Sequence, residues 1–129
     1  MQKEPGHLSE AEMEIMREVW AMDEPITVTR LLNIFAPRRE WKKSTLSTML
    51  DRLITKGYLQ KSFDGLMNVY TSLISEEMYK QHETLTFLET VHNGNLKSFV
   101  ASLVDAKDIN ADDIVEISTW FNEKSKGKL

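Results

Sequence analysis

The sequence predicts a mainly α fold of the α+β class, in which three short helices and a β-hairpin are followed by three more helices. Three observations carry this. Leu46, Met49, Leu50 and Leu53 recur at i, i+3, i+4 and i+7, the spacing of one helix face. Asp64-Gly65 is a turn signal between two short runs, Tyr58–Phe63 and Leu66–Thr71, that suit paired strands. After Ser75 the apolar residues return at helical spacing and continue to Phe121, with breaks at Asn93-Gly94-Asn95 and before Asn110.

Each element has a local justification. Ser9 and Glu12 form a capping box for a first helix, with Leu8 placed to staple Met13, and Met13, Met16, Val19 and Trp20 share its apolar face. Asp23-Glu24-Pro25 ends it. Thr27 caps a second helix whose apolar side is Leu31, Leu32 and Phe35, with Ile26 as its lead-in and Ala36-Pro37 as its close. Arg38 to Lys43 then reads as a basic connector carrying Trp41. The third helix, over 43–56, stops at Gly57. Ser75 caps a fourth helix, and Asn110 caps the last, which continues through Ile114, Ile117, Trp120 and Phe121 before a polar tail, EKSKGKL, expected to fray. Helix, helix, helix, hairpin is the order of a winged helix-turn-helix.

The chain has 129 residues, 41% of them hydrophobic, which suits one domain or one small domain with an appendage. We place a winged-helix domain at 1–73 and a helical domain at 74–129. The absence of cysteine removes disulfides, zinc–cysteine clusters and thiol catalysis. No apolar run reaches transmembrane length and MQKEPGHLSE lacks a signal-peptide core, so a cytoplasmic protein with no membrane partner is expected. His7, His82 and His92 do not converge with nucleophiles or acids, so no enzyme, no metal site and no cofactor is expected.

The net charge of −4 hides an uneven distribution. Between Arg30 and Lys61 eight cations face two acids, whereas from Ile74 onward six lysines face ten acids. A basic middle between acidic flanks is a footprint for a polyanion. The third helix has a greasy back and a small polar front, and short hydroxyl side chains let a helix backbone approach a DNA groove closely. The candidate DNA contacts are Arg38, Arg39, Lys42, Lys43, Ser44, Thr45, Ser47, Thr48 and Arg52, with Lys61 and Asn68 on the hairpin. The bland alternative is an ordinary amphipathic helix with a solvated charged face.

The C-terminal helices hold about fifty residues with large apolar faces, thin for an independent core. Leu85, Leu88, Val91, Leu96, Phe99, Val100, Leu103, Ile114, Ile117, Trp120 and Phe121 are the candidate dimerisation residues, covered by a second copy in a two-fold dimer. The alternative is that these helices fold back on their own winged helix.

The segments LSEAEMEIMREVW, WKKSTLSTMLDRLITKGYL, NVYTSLIS and GNLKSFVASLV, in that order, resemble the penicillinase-repressor family, the BlaI/MecI/CopY group, over about Leu8 to Asn122. The resemblance implies a dimeric bacterial repressor whose partner is double-stranded operator DNA with an inverted repeat. It also implies that Ser44, Thr45 and Ser47 occupy the base-reading positions of the third helix. A lysine and an arginine stand at the Ser44 and Ser47 places in the penicillinase repressors. The family's Asn-Phe cleavage bond matches Ser102-Leu103 here, and the cysteine cluster of its copper-responsive branch is absent. A regulatory protease or sensor is therefore an implied partner of unknown identity. The rival function is a winged-helix adaptor or anti-repressor that binds protein and not DNA. The test between them is whether the Arg38–Lys43 cluster lies beside the Ser44–Thr48 front, with Lys61 and Asn68 on the same side.

Overall fold

A computed structural model describes residues 6–106 and 109–127. Its elements are α1 (Glu10–Trp20), β1 (Ile26–Thr27), α2 (Val28–Arg39), α3 (Lys43–Thr55), β2 (Leu59–Phe63), β3 (Asn68–Ser72), α4 (Glu76–His92), α5 (Leu96–Ala106) and α6 (Ala111–Lys126). The chain parts into two compact units, Met1–Glu83 and Thr84–Leu129, dividing within α4. That is later than 73/74, because the first turns of α4 belong to the first core. Tyr79 is buried there, its ring 5.6 Å from that of Trp20 and 5.9 Å from that of Tyr58.

In the first unit α1 begins with the capping box of Ser9 and Glu12 and buries Ile15, Met16 and Val19. The Trp20 indole N–H donates to the Ile74 carbonyl at 2.8 Å and to Ser72 Oγ at 3.2 Å, tying α1 to the chain just after β3. Ile26-Thr27, expected only as a helix lead-in, is also a strand. It pairs antiparallel with β3, Ile26 opposite Tyr70 and Thr27 opposite Val69, giving a three-stranded sheet in the order β1-β3-β2. An N-cap residue is extended by nature, and Thr27, at φ −98° and ψ 158°, serves both roles, accepting the Arg30 N–H at 3.2 Å.

Helix α2 does not close at Pro37 but runs to Arg39. In the last turn, Pro37 forfeits a single helical hydrogen bond, and Glu40, left-handed at φ 57°, returns its N–H to the Ala36 carbonyl at 2.9 Å. Arg38 and Arg39 are thus helical residues and not a connector.

Helix α3 buries Leu46, Leu50 and Leu53 completely, each stabilising the fold by roughly 2 kcal/mol through removal of apolar surface from water. It ends in a Schellman closure: the Gly57 N–H reaches the Ile54 carbonyl at 3.0 Å and the Tyr58 N–H the Leu53 carbonyl at 2.9 Å. Gly57 sits at φ +90°, where a Cβ would be strained. In the hairpin Leu59 faces Ser72, Lys61 faces Tyr70 and Phe63 faces Asn68. The returning strand starts at Asn68, two residues later than its sequence pattern suggested, because Leu66 and Met67 complete the turn over Asp64.

Glu12 is a buried carboxylate held by Lys56 Nζ at 2.6 Å and by the Ser9 N–H at 2.9 Å. Burial pushes its pKa up, but these hydrogen bonds outweigh it and hold the carboxyl below its ordinary value.

The second unit has well-made helix ends. Asn95 accepts the Ser98 N–H at 2.9 Å to start α5, and Asn110 with Asp113 forms a capping box for α6. The His92 ring lies 5.5 Å from Phe99 and 5.6 Å from Phe87, and its Nδ1 is 2.9 Å from Ser98 Oγ, so it is a packing residue. Helix α6 continues through Lys126, farther than the frayed tail expected; Lys128 and Leu129 lie outside the described residues. None of its described residues in α5 or α6 is buried.

The Glu12–Lys56 pair generates a prediction. A carboxyl with a depressed folded-state pKa contributes stability that is complete above its ordinary 4.5 and is lost as pH falls through the lower value. Lys56→Met is expected to reduce the unfolding free energy by about 2 kcal/mol at neutral pH, by leaving the carboxylate without its cation. It should also lose less on acidification than the parent. Urea unfolding at about pH 7 and about pH 3.5 measures both, and equal acid losses in the two proteins would exclude the pair from the acid response.

Candidate nucleic-acid interface

With Leu46, Leu50 and Leu53 in the core, the opposite side of α3 must face out. Lys43, Ser44, Thr48, Asp51, Arg52 and Thr55 are exposed there, and Thr45 and Ser47 are half-buried at its margins. Lys42 is the N-cap residue and supplies no side-chain acceptor, so the first-turn amides of α3 carry no side-chain cap.

The strand register brings the hairpin over the same side. Leu59, Lys61 and Phe63 on β2 share one face with Ser72, Tyr70 and Asn68 on β3. At the base of that face Leu59 and Tyr70 are in the core, while Lys61, Phe63 and Asn68 run past its edge into solvent. They line a single concavity together with Lys43, Ser47 and Asp51 of α3 and the start of α2. Thr48, Arg52, Thr55 and Lys56 border a second, smaller hollow on the other flank of α3, and Asp51 lines both, so it stands on the crest of the helix. Thr48 turns its hydroxyl back to the Ser44 carbonyl at 3.0 Å.

The cations divide into two groups. Arg38 pairs with Glu18 at 2.9 Å with its guanidinium 5.0 Å above the Phe35 ring, and Arg39 pairs with Glu14 at 3.1 Å and lies 5.5 Å above Trp41. Both carboxylates belong to α1, so these arginines bind the end of α2 to α1 and do not join the front of α3. Arg39 lines a different concavity, with Glu10, Glu14 and Arg17. Lys56 is committed to Glu12 and to the His7 carbonyl, at 2.6 and 2.8 Å. Among the described residues Lys42, Lys43, Arg52 and Lys61 have no carboxylate within 4.0 Å.

Of the residues singled out in the sequence, then, the concavity gathers Lys43, Ser47, Lys61 and Asn68, the first turn of α3 adds Lys42, Ser44 and Thr45, and the far flank holds Thr48 and Arg52. The sequence reading missed Asp51, Tyr70 and the apolar hairpin tip. Burial pushes the Tyr70 hydroxyl pKa up, reinforced by the nearby Asp51 carboxylate. The missed signal was strand parity: once Lys61 is placed on the groove side, Phe63 and the partners of both must follow. Among the described residues no cluster of three or more histidines and acids suits a metal ion, and no helix is long and apolar enough to cross a membrane.

The family profile described as penicillinase repressor matches residues 8–123. The penicillinase repressor of Bacillus licheniformis is 30% identical over 128 residues, covering 99% of this chain and 98% of that one. The methicillin resistance regulatory protein MecI of Mammaliicoccus sciuri is 27% identical over 124 residues, covering 96% of this chain and all of its own. Among solved structures, the DNA-binding domain of the repressor BlaI superposes with a TM-score of 0.53 at 35% identity, covering 61% of this chain and 94% of that one. The monomeric form of Bacillus licheniformis BlaI in complex with the blaP half-operator gives 0.52 at 33% identity, covering 60% and 94%.

The division of the cations is open to measurement. Arg38→Ala and Arg39→Ala are each expected to lower unfolding free energy by about 1 kcal/mol, the sum of a solvent-screened ion pair and a cation–π contact. Urea titration with an unchanged midpoint would show that neither pair holds α2 to α1.

Proposed function

This chain belongs to the penicillinase-repressor family, and we propose that it is a sequence-specific DNA-binding repressor that meets an inverted-repeat operator as a homodimer. The observation that carries the DNA surface is the concavity where Lys43 and Ser47 of α3 face Lys61 and Asn68 of the hairpin, its lysines having no carboxylate within 4.0 Å among the described residues. The relative solved on its half-operator supports the same mode of use.

In this reading α3 enters the major groove. Ser44, Thr45 and Ser47 meet base edges, Lys42, Lys43 and the uncapped first-turn amides meet phosphates, and Arg52 with Thr48 meets the backbone on the far flank. Lys61 and Asn68 approach the adjacent backbone from the wing. Serine is a shorter and less selective reader than arginine, so the operator differs from one read by two-bonded guanine contacts. Arg38 and Arg39 are not assigned to DNA. Their engagement with α1, and the acid on the α3 crest, are the two observations that favour the protein-adaptor reading instead.

The unit from Thr84 onward supplies the dimer contacts and the unit ending at Glu83 the DNA contacts. Leu85, Val91, Leu96, Val100, Leu103, Ile114, Ile117, Trp120 and Phe121 are each between 43% and 60% exposed in a single chain, and Leu88 and Phe99 are half-buried beside them. So much uncovered apolar surface in one small unit calls for a partner, and an identical copy would also match paired half-sites. The inducing protease or sensor has no assignment. Ser102 and Leu103, which match the family's cleavage bond, lie within α5.

Selection of bound duplexes from a random pool tests the reading: enrichment of an inverted repeat is expected, and an unenriched pool favours the adaptor. On the enriched duplex, Lys43→Ala and Lys61→Ala should each reduce the slope of log affinity against log salt by about one unit. A slope that stays put removes that lysine from the phosphates. For assembly, Ile117→Glu together with Trp120→Glu is expected to convert a dimer to single chains in analytical ultracentrifugation, and a dimer that survives both would move the interface elsewhere.

A further inference from the structure

The tip of the wing is apolar. Phe63 is 67% exposed, Leu66 86% and Met67 46%, and all three line the concavity with Lys43, Ser47, Lys61 and Asn68. We propose that this tip is a wedge: on operator binding, Leu66 and its neighbours enter the minor groove beside the site read by α3, part a base step, and bend the duplex. The proposal rests on the DNA-binding reading above and adds to it a specific mode of DNA deformation.

Three features favour DNA as the occupant. The first is continuity, since Phe63 shares its strand face with Lys61 and Asn68, so whatever meets those polar groups meets the tip as well. The second is area. Three such side chains offer at most about 400 Å², about half of the roughly 800 Å² per partner that a standard protein interface buries, whereas a wedge acts through one or two inserted side chains. The third is preorganisation. The Asp64 carboxylate accepts the Leu66 and Met67 N–H groups, both at 3.0 Å, the Asp64 N–H reaches the Met67 carbonyl at 3.2 Å, and Gly65 supplies the φ of +99° that this turn requires. These bonds turn the one acid of the tip inward onto the backbone and hold the apolar side chains outward. A tip with no cation of its own cannot clamp phosphates, but it can displace water from a base step. Flexible pyrimidine–purine steps would yield most readily.

The test uses the full chain and the duplex enriched from the random pool, with 2-aminopurine placed in turn at steps flanking each half-site, and end-labels for energy transfer. For the parent, a rise in 2-aminopurine fluorescence at one flanking step and a shortened end-to-end distance are expected. For Leu66→Ser with Met67→Ser, whose positions are exposed and outside the core, both signals should vanish. Affinity should fall roughly tenfold with an unchanged salt slope, because no phosphate contact is lost. A parent that binds its duplex with neither signal overturns the wedge and leaves the tip to a protein partner. So does a variant that keeps both signals. A parent that binds no duplex at all sinks the DNA-binding reading first, and the wedge with it.

Discussion

The rotation of α3 about its own axis is the constraint on which the rest depends. Leu46, Leu50 and Leu53 admit no solvent, and at about 100° per residue their burial dictates where every other side chain of the helix points. Ser47 and Asp51 face out because their neighbours face in. The Schellman closure at Gly57 then turns the chain directly into β2, so the same glycine that ends the helix also aims the hairpin. A helix register and a strand parity together bring Lys43, Ser47, Lys61 and Asn68 into one hollow.

Charge follows a different logic. The basic stretch between Arg30 and Lys61 is divided by what lies opposite each cation. Where α1 presents Glu14 and Glu18, the arginines are neutralised and stacked on Phe35 and Trp41. Where Glu12 is buried, Lys56 is spent on it. Among the described residues, what remains without an acid is a smaller set on the α3 and wing side, and this remnant of positive charge, not the total of −4, bears on a polyanion. Asp51 on the crest limits that surface: it disfavours phosphate nearby and favours a donor, such as a base amino group.

The two units solve the burial problem differently. The first closes a core around Tyr58, Phe35 and the α3 leucines, with the one buried charge among its described residues, Glu12, paired to Lys56. The second has capped, regular helices but leaves its large apolar side chains half in water. Good local structure without a core leaves apolar surface uncovered in the single chain, which is the ground for the dimer proposed above.

The sequence by itself determined what depends on neighbours a few residues away: the capping boxes of Ser9 and Asn110, the caps at Thr27 and Ser75, the glycine end of α3, the turn at Asp64-Gly65 and the apolar stripe of the third helix. These are short-range hydrogen bonds and a periodicity, and both are written in adjacent residues. The order of elements was legible for the same reason, and with it the winged helix. Tertiary structure alone decided the matters set by distant partners. Ile26-Thr27 became a strand because β3 offers it a free edge. Pro37 stayed within α2 because its last turn is anchored to α1. Arg38 and Arg39 turned toward α1 because Glu18 and Glu14 stand across from them. The apolar wing tip joined the groove because packing of Leu59 and Tyr70 into the core fixed which face of β2 looks into it, and Phe63 shares that face with Lys61.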